Sequence, residues 1–311
     1  MKFLDVSKAY FERFGKPMIE ESFPELIGHY AAGMVGRGSE CFGYDDRVSV
    51  DHDVEPGFCI WLTDDVFEEC GDVLEEAYER LPSDFMGIRL LDKSMHTDRR
   101  RGVFGISSFY SEIIGYPDVP NDSLIWSSIP QYALAEATNG SLFIDTNGEF
   151  TRIRNGLLNY YPSDVVYAKL SKCFITMAQS GQYNFERCIK HGENGAAVLA
   201  LDTFVREGIR AAFLMNRRYC PYYKWAMRGL SEIPGLNTLY QALDYLLTGS
   251  NEGSGLIRKI SAIEKVSQMF ISWSRERGLS ESNSDYLEQH AYQIKEKISD
   301  RKLKSLNIFE A

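Results

Sequence analysis

The spacing of apolar and polar positions divides this chain into two regions. In the first, helical spacing alternates with short apolar runs of strand character. Residues 7–14 and 24–32 carry apolar side chains at helical intervals and predict two short helices. A loop containing Gly33, Gly36, Gly38 and Gly43 follows. Residues 48–53 alternate, and residues 57–62 (GFCIWL) form an apolar run bounded by Pro56 and Thr63. Both patterns predict strands. Over residues 65–81, Val66, Cys70, Val73, Leu74, Ala77 and Leu81 share one helical face, acidic residues fill much of the rest, and Pro82 ends the pattern. Residues 85–91 and 102–107 predict two further strands, separated by the charged loop Asp98-Arg99-Arg100-Arg101.

Beyond Pro117 and Pro120 the strand signal nearly vanishes. One short candidate remains at residues 141–144, closed by the turn Asp145-Thr146-Asn147-Gly148. Helical spacing then covers residues 149–160, 163–179, 184–191, 196–216, 236–247, 254–277 and 282–298. The expected architecture is α+β: a small mixed-sheet domain over residues 1–120, then an all-helical domain over residues 121–311.

Composition narrows the classes. The chain has 311 residues, 44% of them apolar and 13% aromatic, which suits a folded globular protein rather than a disordered one. Its 34 basic and 44 acidic residues sum to −10, a balance that repels phosphate backbones and argues against bulk nucleic-acid binding. A local basic pocket for one nucleotide remains allowed. The six cysteines, Cys41, Cys59, Cys70, Cys173, Cys188 and Cys220, show neither a two-residue spacer nor zinc-finger spacing, and are expected to be mostly buried thiols in a reducing compartment. No apolar segment near the start has signal-peptide character, and uncharged stretches end at thirteen residues. The expectation is a cytoplasmic protein without membrane contact.

Candidate chemistry concentrates in residues 38–53, GSECFGYDDRVSVDHD. At Gly38-Ser39 a glycine permits close backbone approach, so free N–H groups and a hydroxyl can meet phosphate oxygens. In Asp51-His52-Asp53 the two carboxylates, two residues apart on a strand, share a face with Cα atoms about 7 Å apart. Two like charges there ask for a cation, and hard oxygen donors favour Mg²⁺ or Mn²⁺. His52 points to the other face and is read as a packed histidine. Asp45-Asp46 reads as a turn, and Arg99-Arg100-Arg101 as a solvated loop.

Gly-Ser followed by Asp-x-Asp on a strand resembles the signature of the nucleotidyltransferase-fold (polymerase β-like) superfamily. The longer pattern Gly38, Ser39, Gly43, Asp45, Asp46, Ser49, Asp51, His52, Asp53 is similar to an uncharacterised, domain-of-unknown-function branch related to kanamycin- and lincosamide-type nucleotidyltransferases. NGSLFIDTNGEF (residues 139–150) and FLMNRRYCPYYKW (residues 213–225) are weaker points of likeness. The resemblance implies metal-dependent transfer of a nucleoside monophosphate from an NTP to a small-molecule or protein hydroxyl, with release of pyrophosphate. It assigns Gly38 and Ser39 to the nucleotide's phosphates and Asp51 and Asp53 to metal and catalysis, and it favours the reading in which Lys224, in the interleaved stretch, also reaches the nucleotide. The superfamily's third acid has no counterpart in GVFGIS (residues 102–107). Either Glu112 or Asp145 supplies it, or only one metal binds firmly, or activity is weak or lost. The alternative is therefore a nucleotide-binding or interaction module without turnover. A phosphoesterase centred on Asp-His-Asp is disfavoured, because the five histidines are scattered. In residues 216–225 basic and aromatic residues interleave, and this reads either as a packed helix end or as a wall for base or acceptor. Asp202, Arg206 and Arg210 share one helical face, most simply as an ion pair.

Overall fold

The computed structural model describes residues 2–46, 57–89 and 100–310. In chain order the helices are α1 (Phe3–Tyr10), α2 (Lys16–Ser22), α3 (Asp64–Glu79), α4 (Ile106–Ile114), α5 (Ser123–Ser128), α6 (Gln131–Thr138), α7 (Glu149–Leu158), α8 (Ser163–Met177), α9 (Glu186–Lys190), α10 (Asn194–Met215), α11 (Tyr223–Ser231), α12 (Asn237–Thr248), α13 (Gly253–Glu276), α14 (Leu287–Glu296) and α15 (Arg301–Ser305). The strands are β1 (Tyr30–Met34), β2 (Cys59–Leu62), β3 (Asp84–Phe85), β4 (Ile88–Arg89), β5 (Gly102–Gly105) and β6 (Ser141–Asp145). The protein is α+β, with one small mixed sheet and a predominance of helix. It divides into two compact units: residues 1–119 with 133–159, and residues 120–132 with 160–311.

In the first unit the sheet order is β5-β2-β1-β6. Strand β1 runs antiparallel to both β2 and β6, while β2 and β5 are parallel. The parallel step requires a crossover, which contains α3. Strand β2 alternates its side chains between two covered faces. Ile60 and Leu62 enter a core with Tyr10, Phe11, Ile19 and Phe58. On the other face Trp61 packs against Phe109 and Phe150, at centroid distances of 5.2 and 4.1 Å.

The expected helix over residues 24–32 is not formed. A single 3₁₀ turn, Pro24–Leu26, gives way to β1, all five of whose residues are buried. A strand covered on both faces loses the alternation that would have marked it. The strand expected over residues 102–107 ends at Gly105. Helix α4 starts at Ile106, where the Asp64 carboxylate accepts the Ser107 N–H at 3.2 Å. That partner is forty-three residues distant in sequence, beyond the reach of any local pattern. Within residues 85–91 the described part is a minimal hairpin, β3 with β4. The strand expected over residues 48–53 lies outside the described residues.

The second unit is helical. Helix α8 packs against both α10 and α14, and all three carry rows of buried residues. Helix α8 passes into a π-helical stretch, Ala178–Phe185, that leads to α9. The last expected helix starts later than its pattern, at Leu287, because Gln293 Oε1 accepts the N–H groups of Glu281 and Ser282 and holds that segment as loop. Among the described residues no helix is long and apolar enough to cross a membrane.

Candidate functional site

The loop leaving β1 is built by bonds from distant parts of the first unit. Asn139 Oδ1 accepts the Gly36 N–H at 2.9 Å, and Asn139 Nδ2 donates to the Gly36 carbonyl at 2.7 Å. The Gly140 N–H donates to the Cys41 carbonyl at 2.8 Å. Within the loop, the Tyr44 N–H reaches the Ser39 carbonyl at 2.8 Å. Asp45 is buried: it accepts the Phe3 N–H at 3.1 Å at the start of α1 and pairs with Lys2 at 3.3 Å. Its role is to cap a helix.

Gly38 sits at φ +124°, where a side chain is strained, and a Cβ there would lie 2.5 Å from the Glu40 carboxylate. Glycine is required by both conditions. Neither the Gly38 nor the Ser39 N–H has an acceptor among the described residues, and the Ser39 hydroxyl is equally unspent. Ser39 is nevertheless only 9% exposed. The loop thus carries two N–H donors and a hydroxyl in a sheltered place, the type of donor set that receives an anion.

Glu40, within the glycine motif, is buried and pairs with Arg101 Nη2 at 3.3 Å; the Arg101 side chain is 10% exposed. This corrects the reading of residues 99–101 as a solvated loop as far as Arg101 is concerned, since a buried carboxylate has drawn its guanidinium inward. Arg99 lies outside the described residues. Arg37 stands 3.9 Å from both Glu112 and Glu136. Burial raises the titration of Glu136, opposed by Arg37. A cavity of about 30 Å³, enough for water alone, lies between Gly36, Arg37, Arg100 and Glu112. Burial, then Glu40, pushes the Cys41 thiol well up, so it is no nucleophile at neutral pH. The six cysteines are free, four of them buried.

The chain returns to the sheet at Phe58, whose N–H and carbonyl both bond to the Tyr78 hydroxyl, at 3.1 and 2.9 Å. Between these two anchored ends runs the sequence that contains Asp51, His52 and Asp53, all outside the described residues. Of the two candidates for a third acid, Asp145 accepts the Gly148 and Thr151 N–H groups at 2.9 and 2.8 Å and so caps α7. Glu112 is largely exposed beside Arg37. Among the described residues no group of three or more His, Cys, Asp or Glu side chains could hold a metal ion.

Lys224 belongs to the second unit. It is exposed at the start of α11, its Nζ 5.6 Å from the ring centroid of Trp225. The interleaved stretch around it has a split character. Tyr219 packs into a cluster with Tyr160 and Tyr161 at 4.9 and 5.2 Å, whereas Tyr222 and Tyr223 face solvent. Arg206 pairs with Asp202 at 2.8 Å, but Arg210 turns to Glu207. Glu40, Arg101 and Asn139 are the residues that sequence reasoning left without a role. Only the Asn139-Gly140 dipeptide offered a local signal, and it reads as a turn.

Residues 126–226 match a protein family described as Domain of unknown function (DUF4037). The chain is also similar to the crystal structure of a nucleotidyltransferase-like protein from Exiguobacterium sibiricum 255-15. Identity is 11% and the TM-score 0.39, over 88% of this chain and 81% of that one. No curated protein matches the chain.

Proposed function

We propose that the protein is a metal-dependent nucleotidyltransferase, moving a nucleoside monophosphate from an NTP to the hydroxyl of a small molecule or protein, in the manner of kanamycin- and lincosamide-type enzymes. The observation that carries the proposal is the unspent donor set at Gly38-Ser39, followed along the sequence by Asp51-x-Asp53. The two N–H groups and the Ser39 hydroxyl take oxygens of the β- and γ-phosphates. Asn139 fixes the loop through Gly36 and so sets where those donors point.

The described carboxylates around the loop are engaged with Arg101, Arg37, Lys2 or helix N-termini. The divalent ion draws on Asp51 and Asp53, whose hard oxygens suit Mg²⁺ or Mn²⁺. Bound there, it supplies polarisation of the α-phosphate and charge neutralisation as pyrophosphate leaves. The absence of an acid from β5 favours one second reading, a module that binds NTP without turnover.

The deciding experiment measures pyrophosphate release from each of the four NTPs, with Mg²⁺ or Mn²⁺ and a pooled metabolite extract as acceptor source. Metal-dependent release that Asp51→Asn/Asp53→Asn lacks supports the transferase. NTP-induced thermal stabilisation without release supports the binding module. Absence of both overturns the two readings together. Lys224→Ala, run alongside, tests that residue's assignment separately.

A further inference from the structure

The second unit contains a cavity of about 620 Å³, within the usual range for small-molecule sites. All its lining residues belong to that unit. One rim is aromatic. Tyr132, Tyr222 and Tyr223 are 43%, 42% and 67% exposed, yet their rings stand 5.9 Å (Tyr132 to Tyr222) and 4.5 Å (Tyr222 to Tyr223) apart. Single exposed aromatics are ordinary, but three grouped at the mouth of a cavity form a stacking surface for a planar ring.

The lining also carries ionic side chains, and their charges are unequally spent. Arg206 and Arg210 are held by Asp202 and Glu207. Glu310 accepts the Asn307 N–H. The Lys169 ammonium donates to the carbonyls of Ser127 and Ile129, at 2.6 and 3.4 Å, at the C-terminal end of α5. Lys172, half-buried one turn further along α8, has no hydrogen bond or ion pair among the described residues. It also presses on its neighbour: burial first, with Lys172 adding, brings Lys169 down to about 8. Two ammonium groups one turn apart repel each other, and an anion between them relieves that cost.

From this geometry we infer that the cavity binds a small molecule combining a planar ring with an acidic group, the ring against Tyr222 and its neighbours and the acid on Lys172. The inference is independent of the nucleotidyl-transfer reading. It concerns residues of the second unit only.

The test titrates the full chain by ligand-observed NMR. Phenyl phosphate and 4-hydroxybenzoate serve as anionic ring probes, benzyl alcohol as an uncharged ring, and methyl phosphate as an anion without a ring. The two anionic rings are expected to bind better than either control. Lys172→Gln and Tyr222→Ala should each weaken them about tenfold, Lys172→Arg should retain binding, and Asp51→Asn/Asp53→Asn should leave it unchanged. Melting curves confirm that each variant is folded, and Tyr222 is exposed enough for its truncation to be tolerated. The inference is overturned if no anionic ring binds at millimolar concentration, if benzyl alcohol or methyl phosphate binds as well, or if Lys172→Gln has no effect.

Discussion

Asn139 and Gly36 are joined by two opposed hydrogen bonds, the side-chain amide of one presenting to the backbone of the other the pairing a neighbouring strand would offer. This contact spans 103 residues and ties the approach to β6 to the loop that carries Gly38-Ser39. Asn139→Ala leaves a partly buried N–H and carbonyl without partners, at a cost of about 1–3 kcal/mol. Urea denaturation should show that loss, and NTP-induced stabilisation should shrink with it. Asn139→Asp keeps the acceptor and loses the donor, so its effect should be intermediate.

Gly38 and Gly43 both have positive φ, but only Gly38 has a neighbour in the way of a side chain. Gly43→Ala should cost about 1–2 kcal/mol from its left-handed backbone alone. Gly38→Ala adds a collision with the Glu40 carboxylate and should cost more. Equal losses in thermal denaturation would show that the close approach has no energetic weight.

The Glu40–Arg101 pair is nearly closed to solvent. Glu40→Ala removes a buried carboxylate from beside the Arg101 guanidinium, and breaking a buried pair in this way costs about 3–5 kcal/mol. The double variant Glu40→Ala/Arg101→Ala should lose less than the sum of the singles, because both substitutions remove the same contact. Additive losses in chemical denaturation would mean that the two groups act separately.

His290 is fully buried, with its Nε2–H donating to the Ser284 carbonyl and Nδ1 2.8 Å from the Ser280 hydroxyl. Burial lowers its titration below the ordinary value, and Arg275 acts in the same direction against Asp285. The unfolded chain therefore takes up this proton more readily than the native one. The stabilisation is complete above about pH 6.5, the unfolded value, and is lost as the pH falls below it. The melting temperature should drop between pH 7.5 and 5, and His290→Gln should flatten that slope whatever its absolute stability. An unchanged slope would assign the dependence to other groups.

The periodicities that survive translation into structure are those of elements with one wet face. Helix α3 spans Asp64–Glu79, close to its pattern over residues 65–81, because Val66, Cys70, Leu74 and Ala77 of its apolar stripe meet the core, although Val73 is exposed. The glycine loop was legible as a loop from its residue types, whereas its unspent donors at Gly38 and Ser39 are visible only in the structure. What patterning missed had non-local causes. Strand β1 is buried on both sides and reads as helix, and α4 begins where Asp64 reaches back to cap it.

The sequence by itself determined the α+β class and the order of a glycine loop before an acidic pair. Those are properties of residue type and local spacing. The partners of Gly36, Glu40 and Asp45 were decided only by tertiary structure. A carboxylate becomes a helix cap, half of a buried pair or an open ligand according to what the fold brings within about 3 Å, and hydrogen-bond and ionic energies fall away too quickly with distance for sequence spacing to report it.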